Sequence, residues 1–261
     1  DPPLQQVVAR NVSLGARIDK PRWNLAVTLF RSDNRNDIQF ITSEATGFGY
    51  FANVGTTRRQ GIEVTGGGRI GRLDLSASYT LLDATYRSTL SVSGSGNSTS
   101  DAVAPGFEGN ILVQPGNRLP SLPRHLFKAQ ARYEATKWLT ARAELIASSG
   151  VYARGNENNA DVPDGTYYLG SGKTDAYAVV NAGLDFKPHR AMTMFVMVRN
   201  LFNAHYATAA QLGSTGFDAS GNFVARPFSS PVIDGERPVV SSTFLAPGAP
   251  RQIEVGASWH F

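Results

Sequence analysis

Ile253-Glu254-Val255-Gly256-Ala257-Ser258-Trp259-His260-Phe261 alternates strictly: Ile253, Val255, Ala257, Trp259 and Phe261 are apolar, and Glu254, Gly256, Ser258 and His260 are polar or small. A period of two belongs to a β-strand with one apolar and one polar face. The strand closes the sequence on an aromatic at the border of its apolar face. Chain ends fray and large aromatics belong in cores, so a soluble domain gains little from such an ending. A membrane-spanning barrel does gain, because its lipid-facing band is bordered by aromatic girdles.

The alternation recurs upstream. Val12, Leu14, Ala16 and Ile18 stand against Asn11, Ser13, Gly15 and Arg17, and Asp19-Lys20-Pro21-Arg22 turns the chain into the row Trp23, Leu25, Val27, Leu29. A third strand is expected from near Gly47 through Asn53, Gly55, Arg58 and Ile62 to Ile70, and Gly71-Arg72 turns it into Leu73, Leu75, Ala77, Tyr79 and Leu81. Phe127, Ala129, Ala131 and Tyr133 oppose Lys128, Gln130, Arg132 and Glu134; after Thr136-Lys137, Leu139, Ala141, Ala143 and Leu145 oppose Thr140, Arg142 and Glu144. Val180, Ala182, Leu184 and Phe186 lead to a turn at 187–191 and a segment, Met192–Val198, that is apolar on both faces and leaves its register open.

This gives nine strands. Their connections differ in size: 19–22, 71–72, 136–137 and 187–191 are short, 42–46 is intermediate, and 87–122, 150–174 and 203–249 are long and rich in Gly, Ser, Asn and Pro. Short turns at one rim and long loops at the other describe an up-and-down outer-membrane barrel, with the short turns periplasmic. A strand of about 11 residues at ~3.3 Å each, tilted ~45°, rises roughly 26 Å, which matches the ~25 Å apolar band. Lys or Arg facing lipid at mid-depth costs about 2–4 kcal/mol. Lys128, Arg132, Arg142 and Glu144 are therefore expected to face a wet interior, with the rows of Ala, Val and Leu toward lipid. The rival is a soluble β-sandwich with those rows as its core.

Composition is compatible with this. Of 261 residues 41% are hydrophobic, and the mean hydropathy of −0.21 suits strands that alternate. The net charge of +4 is spread along the chain, which argues against a nucleic-acid partner, and the absence of cysteine excludes disulfides and thiolate metal sites. The opening residues Asp1-Pro2-Pro3-Leu4 carry neither a basic start nor an apolar run, so no secretory signal is read there.

Four segments resemble the C-terminal part of TonB-dependent outer-membrane receptors. Asn53-Val54-Gly55-Thr56-Thr57-Arg58-Arg59-Gln60-Gly61-Ile62-Glu63 is similar to the family's N-x-G-x-x-R-x-x-G-h-E strand. Leu119-Pro120-Ser121-Leu122-Pro123-Arg124-His125 resembles the hP-x-hP-x-H start of a later strand. Val198-Arg199-Asn200-Leu201-Phe202-Asn203-Ala204-His205-Tyr206 resembles V-x-N-L-F-N-x-x-Y, and Pro247-Gly248-Ala249-Pro250-Arg251 leads into the terminal strand as in that family. Each segment also has an architectural reading. Asn200 and Asn203 tolerate unusual backbone angles, Gly55 and Gly61 suggest bulges or twist, and Pro120 and Pro123 suit a strand start.

The resemblance implies an all-β fold in which residues 1–261 supply about nine strands of a 22-stranded barrel, with the plug domain, the TonB-contacting box and the earlier strands lying outside the chain. It implies a receptor and transporter of the Gram-negative outer membrane, not an enzyme, for a scarce ligand such as a ferric siderophore. No cofactor is expected; the implied partners are membrane lipid, the TonB system through the plug, and the barrel-assembly machinery. That machinery would read Ile253, Val255, Trp259 and Phe261 as its signal. A passive porin and a secreted β-rich binding module are the alternatives.

Catalytic chemistry is not legible. His125, His189, His205 and His260 are scattered, Gly94-Ser95-Gly96 and Gly66-Gly67-Gly68 precede no helix, and Asp161-Val162-Pro163-Asp164-Gly165 reads as a turn. Ligand contacts are expected on the long loops. The candidates are Tyr152, Arg154, Tyr167, Tyr168, Phe217, Phe223, Arg226, Phe228 and Arg237, since aromatics with arginine suit an anionic or aromatic chelate.

Overall fold

The computed structural model describes residues 3–43, 49–94, 96–189, 191–223 and 232–259. Two hairpin arms, β1 (Val8–Lys20) and β2 (Trp23–Arg35), are followed by a ribbon of β3 (Ile38–Ile41) and β4 (Tyr50–Asn53), then by β5 (Thr57–Ile70) and β6 (Leu73–Tyr86). A second ribbon, β7 (Leu90–Ser93) and β8 (Asn110–Val113), precedes β9 (His125–Glu134) and β10 (Leu139–Ser148). After β11 (Tyr168–Leu169) come β12 (Tyr177–His189), β13 (Met192–Arg199), β14 (Ala207–Ser214), β15 (Ser241–Pro247) and β16 (Gln252–Trp259).

Nine of these strands form one antiparallel sheet in the order β1-β2-β5-β6-β9-β10-β12-β13-β16. These are the nine read from the alternation. The sheet is open, because β1 pairs only with β2 and β16 only with β13 among the described residues. The short turns explain the order: Lys20 pairs with Trp23 and Ile70 with Leu73, so each hairpin makes neighbours of consecutive strands. Gly71, at φ 60, supplies the left-handed angle its two-residue turn needs.

Three expectations are corrected. The third strand is not continuous from Gly47 to Ile70: β4 and β5 are separated at Val54–Thr56, where Gly55 has φ 71. Asp37 anchors this break, donating its N–H to the Gly55 carbonyl at 2.9 Å and accepting from the Thr57 hydroxyl at 2.6 Å and Arg59 at 3.0 Å. Gly61 forms no bulge; β2 and β6 pair past it in unbroken register. It is a glycine because a Cβ would fall 1.9 Å from the Leu81 carbonyl oxygen and 3.0 Å from the Phe30 ring. The last short turn is tighter than 187–191, since β12 runs to His189 with a register shift after Phe186.

Register across the sheet separates two faces. Tyr133, Ala141, Leu184, Val196 and Val255 are successive cross-strand partners, as are Leu75, Ala131, Ala143, Ala182, Val198 and Ile253. This face is uncovered: Leu184 is 49% and Val255 71% exposed, so the rows are not the core of a sandwich. On the other face Arg142 reaches Asp185 at 2.6 Å, Glu144 accepts from Gln130 and Asn181, and Arg199 pairs with Glu254 at 2.8 Å. Arg142, Glu144 and Arg199 line a groove of 440 Å³, together with Asp74, Arg132, Gln130 and Asn181.

The buried core lies at the long-loop end. Ile41, Val54, Val92, Ile111, Val113 and Leu119 pack with Ala84 and Tyr86 of β6. Ala84 and Tyr86 share the parity of Ser76 and Thr80, so the loops lean onto the polar side of the wall. A three-stranded sheet, β11-β15-β14, completes this layer and has its own small cluster of Ala153, Ala210 and Leu212.

Candidate functional site

The long loops, rather than the wall, bring the candidate residues together. Asp164 starts the fold of one loop: its carboxylate accepts the N–H groups of Thr166, Tyr167 and Tyr168 at 2.8, 2.8 and 2.9 Å. These bonds hold its carboxyl below its ordinary range against the opposing effect of burial, and they place the turn at 164–168 rather than at 161–165. The turn carries Tyr167 and Tyr168 to half-buried positions. The Tyr168 hydroxyl accepts from Gly106 N–H at 3.2 Å, and the Tyr167 carbonyl accepts from Ser241 N–H at 2.7 Å, so three loops are tied at one point.

Tyr152 and Arg154 alternate with buried Val151 and Ala153. The Arg118 guanidinium stands over the Tyr152 ring at 6.0 Å, and Arg154 over Phe40 at 5.6 Å. Phe40 in turn meets Phe51 edge-on at 5.4 Å. Tyr152, Arg118 and Lys173 line a polar notch of 250 Å³. Phe217 and Phe223 form a separate exposed edge-to-face pair, with ring centres 5.8 Å apart, and Arg237 is exposed. Arg226 and Phe228 lie outside the described residues, as does Phe261. Of the terminal strand, Ile253, Val255 and Trp259 stand exposed on the apolar face.

Sequence reasoning passed over Phe40, Phe51, Arg118 and Lys173. The first two sit in a ribbon read as part of a long strand and its connection, and the cations had no spacing to single them out. It also passed over Glu157. This side chain is fully buried; one carboxylate oxygen accepts the Gly155 N–H at 3.0 Å, and the other has no partner among the described residues. Burial pushes its carboxyl up to about 7, opposed by the Gly155 bond and by Arg154. A raised carboxyl pKa means that the packed loops lose stability as pH rises from about 4.5 to about 7 and stay at that lower level above it. Glu157→Gln is expected to flatten this dependence and to strengthen the loop core above pH 7 by about 1–3 kcal/mol. Hydrogen exchange of Ala153 and Gly155 at pH 5.5 and 8, corrected for intrinsic rates, measures it; equal pH dependence in both proteins would refute the assignment.

The family motifs act architecturally. Asn53 donates to the Asn36 carbonyl at 2.7 Å, Arg58 pairs with Asp33 at 2.6 Å, and Asn200 and Asn203 adopt φ of 48 and 51. His125, at the start of β9, shares a 2.8 Å hydrogen bond with the Tyr79 hydroxyl.

Comparison with known proteins gives the same picture. The ferric-catecholate import receptor Fiu from Escherichia coli K12, in its closed form, superposes with a TM-score of 0.59 at 21% identity, over 99% of this chain and 28% of that one. The siderophore receptor PiuA from Acinetobacter baumannii gives 0.63 at 18% identity, over 96% and 28%. The copper transporter OprC gives 0.61 at 15% identity, over 99% and 32%. The chain thus spans less than a third of the length of these structures. At the level of sequence, the profile of the family described as "TonB dependent receptor-like, beta-barrel" matches residues 1–201. The chain belongs to that family, the β-barrels of TonB-dependent receptors.

Proposed function

We propose that the intact protein is an outer-membrane receptor that captures a ferric siderophore outside the cell and imports it with energy delivered by TonB. Residues 1–261 would form the last nine strands of a 22-stranded barrel and its external loops. Plug and TonB-contacting box would belong to the remainder, and no bond is made or broken in the cargo by this part. The observation that carries the reading is the two-faced open sheet: a bare apolar face fits acyl chains, and an ion-paired polar face fits a hydrated, plugged lumen. The ligand class is supported by the siderophore receptors among the structural neighbours and by the aromatic and cationic loop residues.

Tyr152, Arg154, Tyr167, Tyr168, Phe217, Phe223, Arg226, Phe228 and Arg237 remain the proposed contacts, with Arg118, Lys173 and Phe40 added to them. Ile253, Val255, Trp259 and Phe261 are proposed as the barrel-assembly signal. Iron-limited cells lacking the gene should lose uptake of one radiolabelled ferric siderophore, and loss of TonB should abolish the same uptake. Uptake that persists without TonB would instead indicate a passive porin.

A further inference from the structure

A groove of 1110 Å³ runs from the Pro21, Arg22 and Gly71 turns across the sheet to Val180; residues of the apolar rows make up most of its lining, and Arg69, Ser76, Gln130 and Glu144 of the alternate rows complete it. Register explains it. Gly66, Ala77 and Ala129 are cross-strand partners in one row, and Ala131 and Ala143 in the next. Small side chains therefore floor a channel between Trp23 at one end and Leu145 at the other. Its volume lies above the roughly 300–1,000 Å³ range of small-ligand pockets, which favours a long occupant.

Its turn end is cationic. Arg22 lines the opening and is exposed, with Lys20 and Arg72 exposed beside it. Among the described residues none of the three has an ion pair, because the nearby acids are engaged: Asp19 by Arg17, and Asp74 and Glu134 by Arg69 and Arg132. Lys137, in the third short turn, and Lys187, near the end of β12, are likewise exposed and, among the described residues, without an ion pair. Trp23, 46% exposed and paired with Lys20 across the first turn, marks the boundary where an amphipathic ring sits between acyl chains and water.

We propose that this groove is a binding site for an anionic phospholipid of the leaflet at the short-turn end, with acyl chain on the Gly/Ala floor and headgroup phosphate on Arg22. The proposal rests on the outer-membrane reading above. A planar guanidinium matches a phosphate diester, and the surplus of cations around the rim selects a net negative headgroup over a zwitterionic one.

The test uses the intact receptor in neutral detergent, with native mass spectrometry in the presence of phosphatidylglycerol and phosphatidylcholine of matched chains. Wild type should retain phosphatidylglycerol preferentially. Arg22→Gln and Lys20→Gln should each lower that retention about fivefold without affecting phosphatidylcholine. Ala131→Leu, which fills the floor, should lower retention of both lipids, and inorganic phosphate should not compete. Equal retention of the two lipids, indifference to Arg22→Gln and Ala131→Leu, or displacement by inorganic phosphate would each overturn the assignment. Heat-modifiable migration and membrane fractionation report separately on whether a barrel forms, and uptake assays report on transport, so failure of the lipid site is distinguishable from failure of the receptor reading.

Discussion

Asn200→Ala in the intact receptor is expected to destabilise the exit from β13 by about 3–5 kcal/mol, from three lost hydrogen bonds of about 1 kcal/mol each and a left-handed backbone angle that costs alanine about 1–2 kcal/mol. Asn200 is 3% exposed with φ 48. Its amide donates to the carbonyls of Ala204 at 2.9 Å and Ala249 at 3.0 Å, and its carbonyl accepts the Ala204 N–H at 2.8 Å. One side chain therefore fastens the two ends of the 203–249 loop, and truncation leaves buried backbone groups unpaired. Asn200→Gly separates the contributions, because glycine accepts the angle without strain and loses only the bonds. The measurements are the temperature at which folded protein loses its heat-modifiable migration, and hydrogen exchange at Ala204. A cost below about 1 kcal/mol for the alanine variant would contradict the account.

Val196→Arg should oppose insertion by about 2–4 kcal/mol, the cost of an arginine facing lipid near mid-depth. Val196 lies between Leu184 and Val255 in the apolar row and is 40% exposed. The matched control is Gln130→Arg on the polar face, where Glu144 is its cross-strand partner; its effect should stay within about 0.5 kcal/mol. Folding yield into vesicles across a urea series compares the two. If both variants insert alike, the faces have been assigned the wrong way round.

How much of this was legible can be judged from β13. Met192–Val198 is apolar on both sides, so alternation could not orient it. The structure places Met194, Val196 and Val198 beside Ala257, Val255 and Ile253, and turns Phe195 and Met197 to the polar face. The signal lay on the neighbouring strands: a Cβ at Gly256 would stand 2.4 Å from the Phe195 ring, and one at Gly183 would stand 3.0 Å from Met197. Glycines there make room for inward bulk, which is a cross-strand relation that no single segment displays.

The loops were legible in chemistry but not in arrangement. Aromatics and arginines could be picked out, yet the stacking of Arg154 on Phe40 and the notch shared by Tyr152, Arg118 and Lys173 join residues from distant loops. Glu157 looked like an ordinary loop acid, and only the packing around it withdraws it from water. The strands within 87–122, 150–174 and 203–249 were missed for a related reason: they are short, and they pair with each other rather than with sequence neighbours across tight turns.

By itself the sequence determined nine strands, eight of them two-faced, their antiparallel order and the end that carries the loops, because these follow from a period of two and from turns too short for any other neighbour. The folded chain decided which ionised groups meet, how the loops close over the polar face, and that rows of glycine and alanine cut a groove into the apolar one. Those outcomes depend on side chains brought together across strands and loops, and local spacing carries no record of them.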